Sequence, residues 1–229
     1  MAKTIVVCGF GTGISTAVAE KFGAEGFSVA LVGRSSDRLE KGVKSLEARG
    51  ITAAAFPADL GDEAQVQGMI AAVRAKLGPI TALHWNAYST GAGDLLSADS
   101  AAIRQAFELP VTNLVVALRL ALPDLQSQPG GALLVTNGGL GVDDPKIDAM
   151  AVAWNAMDLA VVNAAKHKLV GVLAQKLKPL NVYVGEVLVL GPVKGTAWDD
   201  GNAKIEAASV AEKFWELYSK RSSVSAMVG

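Results

Sequence analysis

Thr4-Ile-Val-Val-Cys-Gly9-Phe-Gly11-Thr12-Gly13-Ile14-Ser15 is the stretch that decides the fold of this 229-residue chain. Ile5, Val6 and Val7 are β-branched and suit a buried strand. Ile14, Ala17, Val18 and Phe22 then recur at helical spacing. A strand, a glycine-dense turn and a helix in direct succession leave backbone N–H groups and the helix dipole facing an anion such as a pyrophosphate. Gly9 offers backbone angles that other residues resist. Gly11 and Gly13 carry no side chain to obstruct a ligand, and Thr12 or Ser15 is expected to cap the helix. The competing reading is a tight turn with no ligand. The flanking strand and helix, at the very start of a βαβ unit, favour the ligand.

The alternation continues along the chain. Strands are predicted at Ser28 to Val32, Ala53 to Phe56, Ile80 to Trp85, Ala132 to Thr136 and Val182 to Leu190, with a short last one near Val224. Helices are predicted from Ser36 to Arg49, through Val66, Met69, Ile70, Val73 and Leu77, from Ala207 to Arg221, and over a long region ending near Lys178. Two more run from the Ser89 to Asp94 loop to about Gln126, broken near Pro110. Asp143 and Asp144 precede Pro145 as helix caps. Near-continuous apolar strands separated by helices indicate a parallel sheet covered on both faces. The expectation is an α/β fold with a three-layer, doubly wound parallel sheet, a single Rossmann-like domain over residues 1–229.

Composition narrows the partners. Lys plus Arg (21) nearly cancel Asp plus Glu (22), so no basic field points to nucleic acid. No apolar run is read as long enough to cross a bilayer, and no signal-peptide core precedes the first strand. The single cysteine, Cys8, excludes an internal disulfide and suggests a reducing, cytoplasmic setting. Cys8 itself reads as a small buried hydrophobe. No metal-ligand spacing and no Ser-His-Asp arrangement is present.

In such a fold the end of the second strand meets the adenosine ribose. There the sequence reads Val32-Gly33-Arg34-Ser35-Ser36. Gly33 offers no carboxylate for a ribose hydroxyl. Arg34 offers a fork of donors suited to a 2′-phosphate, with Ser35 and Arg38 able to assist. This favours NADP(H) over NAD(H).

These segments together resemble the short-chain dehydrogenase/reductase family over nearly the whole chain. Cys8 to Ser15 is similar to that family's Thr-Gly-x-x-x-Gly-x-Gly loop, with Gly9 and Gly13 matching and Ser15 in place of the last glycine. Asp59-Leu60 resembles its adenine-contacting pair. Trp85-Asn86-Ala87-Tyr88 resembles its Asn-Asn-Ala-Gly turn. Leu190-Gly191-Pro192-Val193 resembles its Pro-Gly-x-Val, with Thr196 near the position that holds the nicotinamide carboxamide. The resemblance implies cofactor contacts from Gly9, Gly11, Thr12, Gly13, Ile14, Arg34, Ser35, Asp59, Leu60, Asn86, Ala87, Val193 and Thr196. It also implies a small-molecule carbonyl or alcohol substrate, and a homodimer or homotetramer, for which Leu114 to Leu122 and Leu159 to Val172 could serve unless they are ordinary sheet-covering helices.

The family's Ser, Tyr, Lys and Asn chemistry is not legible at the matching positions. Gly138 falls at the Ser, Leu159 at the Tyr, Asn163 at the Lys and Pro110 near the Asn, with Asn113 one turn away. Asn155, Leu159, Asn163 and Lys166 share one helix stripe. Tyr88, at the carboxyl end of the fourth strand, is the most plausible of the stand-in donors, although an aromatic wall is its favoured role; Asn163 and Lys166 are the other candidates. His84 reads as a core residue and His167 as solvent-facing. Asn137 could bond a substrate or fix its loop. Trp85 and Trp154 default to the core, and Gly195 to Lys204 should cover the pocket. Three readings follow: an NADP(H)-dependent oxidoreductase with an atypical donor, a nucleotide-binding protein without redox chemistry, and a non-redox isomerase or lyase. Fold alone does not choose among them.

Overall fold

The computed structural model describes residues 3–89 and 91–229. Met1 and Ala2, at the start of the expected 1–229 domain, and Thr90, within the Ser89 to Asp94 loop, lie outside the described residues. The strands are β1 (Lys3–Cys8), β2 (Phe27–Gly33), β3 (Ala53–Pro57), β4 (Ile80–Trp85), β5 (Ala132–Gly138), β6 (Tyr183–Val189) and β7 (Ser225–Val228). They form one sheet in the order β3-β2-β1-β4-β5-β6-β7. Every pairing is parallel.

The helices are α1 (Ile14–Ala24), α2 (Ser36–Glu47), α3 (Glu63–Leu77), α4 (Ser100–Phe107), α5 (Asn113–Ser127), α6 (Pro145–Ala153), α7 (Met157–Leu177) and α8 (Ala207–Lys220). Alternate strand residues feed two separate cores, as the period of two in a pleated strand requires. Val6 and Cys8 pack with Val66, Met69, Leu114, Ala117 and Val170 from α3, α5 and α7. Ile5 and Val7 pack with Val18, Phe22, Leu39, Val210 and Phe214 from α1, α2 and α8. The expected doubly wound, three-layer fold is therefore the observed one.

Strand order reverses between β1 and β4. Ligands of open α/β sheets bind at the carboxyl ends of the strands flanking such a reversal. Here those ends are Gly9 and Asn86 to Tyr88.

Several boundaries differ from the sequence expectation. The long region after β5 is two helices: Asn155 takes a left-handed conformation (φ 50°) between α6 and α7, which ends the first helix. Asn155 therefore falls off the stripe that Leu159, Asn163 and Lys166 keep on α7. Trp154, at the end of α6, is 61% exposed rather than in the core. The break near Pro110 is a single π-turn, Glu108–Thr112. Proline cannot donate to the preceding turn, so the helix widens there instead of stopping.

Ser100–Ser127 is consequently one helical run, long and apolar enough by length and composition to cross a membrane, contrary to the reading of no such run. Its residues Leu114, Ala117, Leu118, Ala121 and Leu125 are buried against the sheet side of the domain. Trp85 and His84 are both fully buried in β4, as read from the sequence.

Candidate functional site

The glycine loop is held by β2. The N–H groups of Gly9 and Phe10 both donate to Val32 O, at 3.0 and 2.8 Å. Gly9 has φ 82°, and a Cβ there would come within 2.8 Å of Ala87 N. Only glycine satisfies both the conformation and the close approach of β1 to the β4 turn. The turn is tied back in return: Asn86 N donates to Cys8 O at 2.9 Å, and Asn86 Nδ2 to Gly9 O at 3.4 Å.

Gly13 occupies the N-cap of α1 with φ 86° and no side-chain cap. The expectation that Thr12 or Ser15 caps this helix is corrected. Thr12 is exposed, and Ser15 Oγ turns back to accept from Gly11 N at 2.9 Å and donate to Gly11 O at 3.0 Å. Ser15 thus braces the loop from inside. The N–H groups of Thr12, Gly13 and Ile14 are left without a hydrogen-bond partner among the described residues. Open amides at the positive end of an eleven-residue helix are suited to a phosphate.

Arg34, Ser35 and Arg38 lie exposed at the end of β2 and the start of α2. The Arg38 guanidinium stands 3.8 Å from where a Gly11 Cβ would be, so it borders the loop directly. Ser35 has a structural task that the sequence reading did not give it. Its Oγ accepts from Arg38 N at 3.4 Å and caps α2. No carboxylate terminates β2. Open amides and two exposed guanidinium groups at one edge of the loop suit the phosphates of a dinucleotide.

Past β3, Asp59 is exposed and Leu60 buried. Asp59 shapes its turn by accepting from Gly61 N at 2.9 Å. Leu60 O accepts from Asn113 Nδ2 at 2.8 Å. Asn113 is completely buried and its Oδ1 has no partner among the described residues. Its amide group therefore braces α5 against the β3 turn.

The segment after β6 closes the site from the other side. Val193 is buried and bridges to Ile205. Thr196 lies against Gly13 so closely that a Cβ on that glycine would overlap its methyl. Trp198 Nε1 donates to Tyr88 Oη at 3.1 Å, with the ring centroids 6.4 Å apart. The 195–204 segment thus bridges the α1 and β4 loops.

The three candidate proton-transfer residues do not converge. Tyr88 is 46% exposed and already accepts from Trp198. Asn163 and Lys166 are both buried on α7. Asn163 lies over the turn after β5, where a Cβ on Gly138 would come within 2.6 Å of its Nδ2. Lys166 is buried one turn further along. Desolvation holds its pKa down to about 8, partly opposed by the charge of Glu186.

Sequence reading missed Glu186, which is fully buried in β6. His167 is exposed, as read from the sequence, but its contact with the Glu186 carboxylate through Nδ1 was missed. An acidic residue inside Tyr-Val-Gly-Glu-Val-Leu-Val was the available signal. Cys8 is fully buried, as read from the sequence, and burial pushes its thiol far above the ordinary range. No group of three or more His, Cys, Asp or Glu among the described residues is placed to hold a metal ion.

The geometry agrees with what the chain is similar to. Residues 3–204 match the family described as short chain dehydrogenase. The 2-(S)-hydroxypropyl-CoM dehydrogenase 3 of Xanthobacter autotrophicus is 26% identical over 210 residues, covering 92% of this chain and 81% of that protein. The meso-2,3-butanediol dehydrogenase of Serratia marcescens is 32% identical over 142 residues, 62% of this chain and 56% of that one. Among solved structures, L-sorbose reductase from Gluconobacter frateurii, complexed with NADPH and L-sorbose, superposes with a TM-score of 0.85. It is 23% identical, and the match covers 99% of this chain and 95% of that one. An NADPH-bound short chain oxidoreductase from Pseudomonas aeruginosa, described as containing an atypical catalytic center, also superposes at 0.85 with 21% identity, over 99% and 94% of the two chains. With the switch-point glycine loop, the uncapped first helix and the matched span in hand, the chain belongs to the short chain dehydrogenase family of oxidoreductases.

Proposed function

We propose that the protein is an NADP(H)-dependent oxidoreductase that interconverts a small carbonyl compound and its alcohol. The observation that carries this reading is the open row of Thr12, Gly13 and Ile14 amides with Arg34 and Arg38 beside it and no acidic residue ending β2. NADPH in two of the solved structures that superpose on this chain supports the same reading. Bound at this site, the cofactor supplies the hydride. The protein's part is binding and proton supply. Arg34 and Arg38 hold the additional phosphate, and the α1 amides hold the pyrophosphate. Asp59 and Leu60 border the adenine, and Asn86, Ala87, Val193 and Thr196 frame the reactive end.

Lys166 is the proton-transfer group in this reading. A buried amine whose pKa is held down to about 8 can give a proton to a developing alkoxide and take it back in the reverse direction. Asn163, between Lys166 and the Gly138 turn, orients the oxygen. Tyr88, engaged with Trp198, forms the wall. The catalytic centre is thus atypical, with lysine and asparagine where the family uses tyrosine, lysine and serine. We also propose a homodimer or homotetramer through α5 and α7, where Val161 and Val172 are exposed, in a reducing, cytoplasmic compartment.

Thermal shift tests the reading at its base. NADPH at about 100 times its Kd should stabilise the fold by about 2.7 kcal/mol, with NADH giving a smaller shift. No shift with either nucleotide overturns it. Turnover is then sought with NADPH and a panel of ketoses, hydroxyketones and 3-oxoacyl thioesters. A second reading is favoured by one observation, the Asn163 amide filling the space above Gly138: the protein binds NADP(H) without turning over. Nucleotide-dependent stabilisation with no oxidation of NADPH across the whole panel selects that reading.

A further inference from the structure

Glu186 has no exposed surface and lies within an apolar strand. A carboxylate there persists only if it is fully partnered. Its partners come from three elements. His167 Nδ1 of α7 and Ser225 Oγ of β7 both meet Oε1, and Asn137 Nδ2 of β5 donates to Oε2 at 3.2 Å.

Asn137 extends the line. The same Nδ2 donates to Asn163 O at 3.0 Å, and its Oδ1 accepts from Gly138 N at 3.0 Å. A continuous chain of contacts therefore runs from half-exposed His167, through Glu186 and Asn137, to the Gly138 turn and Asn163. Lys166, next to His167 on α7, is buried as well. The α7 side chain that meets the Glu186 carboxylate is His167, not Lys166; the carboxylate's charge opposes the desolvation of Lys166 through space. Helical side chains leave the backbone tilted toward the helix N-terminus. For Lys166 that direction leads toward Asn163 and the carboxyl edge of the sheet. The charge that acts on it is that of Glu186 from β6; of the other elements packed against α7, α4 carries Arg104 and the Glu108–Thr112 turn carries Glu108, and α7 itself carries His167 and Asp158. Asp158 is occupied with the N–H groups of Gly91 and Ala92. The β5 and β7 side chains on Glu186, Asn137 and Ser225, are uncharged.

We propose that Glu186 is a positioning residue for the proton-transfer site: one carboxylate oxygen is anchored by His167 and Ser225, the other fixes Asn137 across the Gly138 turn, and the charge offsets that of buried Lys166. Its catalytic consequence rests on the oxidoreductase reading; its electrostatic consequence does not. Glu186 takes no proton from the substrate. It sets how much of Lys166 is in the protonated form that can donate one.

The test uses full-length protein labelled with 13Cε-lysine, in which the Lys166 signal is assigned by its loss in Lys166→Met. In the wild type that signal should titrate well below the other lysines. Glu186→Gln should lower its midpoint by about one pH unit, and Glu186→Asp should largely restore it. With a reducible ketone in hand, the alkaline limb of kcat/KM should move by the same amount in Glu186→Gln, while the KM for NADPH stays within about twofold. An unmoved Lys166 midpoint in Glu186→Gln overturns the proposal. So does a Lys166 that titrates with the surface lysines. If no ketone is reduced, the oxidoreductase reading fails while the spectroscopic arm still decides this one. Should Glu186→Gln not fold, Lys166→Met is combined with it. Rescue of folding by the second substitution supports a charge coupling; an equal loss in both backgrounds overturns it.

Discussion

At the scale of single residues the site turns on two that do opposite things. Arg34 is exposed and contributes little to the fold; its value is a rigid fork of donors at the end of β2. Arg34→Ala is expected to raise the Kd for NADPH by roughly 10- to 100-fold, the loss of a charge-assisted hydrogen bond of about 1.5–3 kcal/mol. NADH binding and the melting temperature should stay nearly unchanged. Nucleotide titration of both proteins checks this, and equal losses for the two nucleotides would remove the phosphate assignment. Gly13 is the reverse case. Its φ of 86° and the Thr196 methyl against it leave no room for a side chain. Gly13→Ala should lower stability by about 1–3 kcal/mol from the strained positive φ alone, and weaken NADPH binding because the α1 amides move with it. Urea denaturation and the same titration read the two effects separately.

At the scale of elements, α3, α5 and β4 are joined through one carboxylate. Asp124 of α5 accepts from Arg74 Nε of α3 at 2.6 Å and from Ile80 N of β4 at 3.2 Å. The Arg74 guanidinium also reaches Leu120 O. Asp124→Ala leaves a partly buried guanidinium and a strand N–H unpaired, and is expected to cost about 2–3 kcal/mol. Arg74→Ala and Asp124→Ala should be clearly less than additive in a double-mutant cycle by urea denaturation; additive losses would mean the pair does not act as a unit. This junction shows why the sequence made the layers legible and the site only partly so. β1 to α1, the β2 terminus and the Asn86-Ala87 turn were readable because one local stretch contains both the bend and its cause. The α6–α7 break was not, because it depends on Asn155 adopting a left-handed conformation, and nothing in the helical spacing demands that. Glu186, His167 and Ser225 meet only after β6 has been placed between α7 and β7. Their sequence separations carry no trace of the contact.

For the whole molecule, the buried titratable groups set how stability responds to pH. His84 lies in β4 with Nε2 3.0 Å from Thr136 Oγ1, its ring edge against Phe214, and Nδ1 without a partner among the described residues. Burial holds its pKa down from the ordinary 6.5 to about 3. Between those values the unfolded chain carries the proton and the folded one does not. Stability therefore falls as pH drops from about 6.5 toward 3, with a slope from this group approaching about 1.4 kcal/mol per pH unit. Lys166 acts at the other end. Its folded pKa of about 8 lies below the ordinary 10.5, so over that interval the unfolded state again binds more protons and stability rises with pH. Urea midpoints measured from pH 3.5 to 10.5 should show both limbs. His84→Leu combined with Thr136→Val should flatten the acid limb alone, and Lys166→Met the alkaline limb alone. Profiles that stay parallel to the wild type in both variants would show that neither group is held in the ionisation state its burial requires.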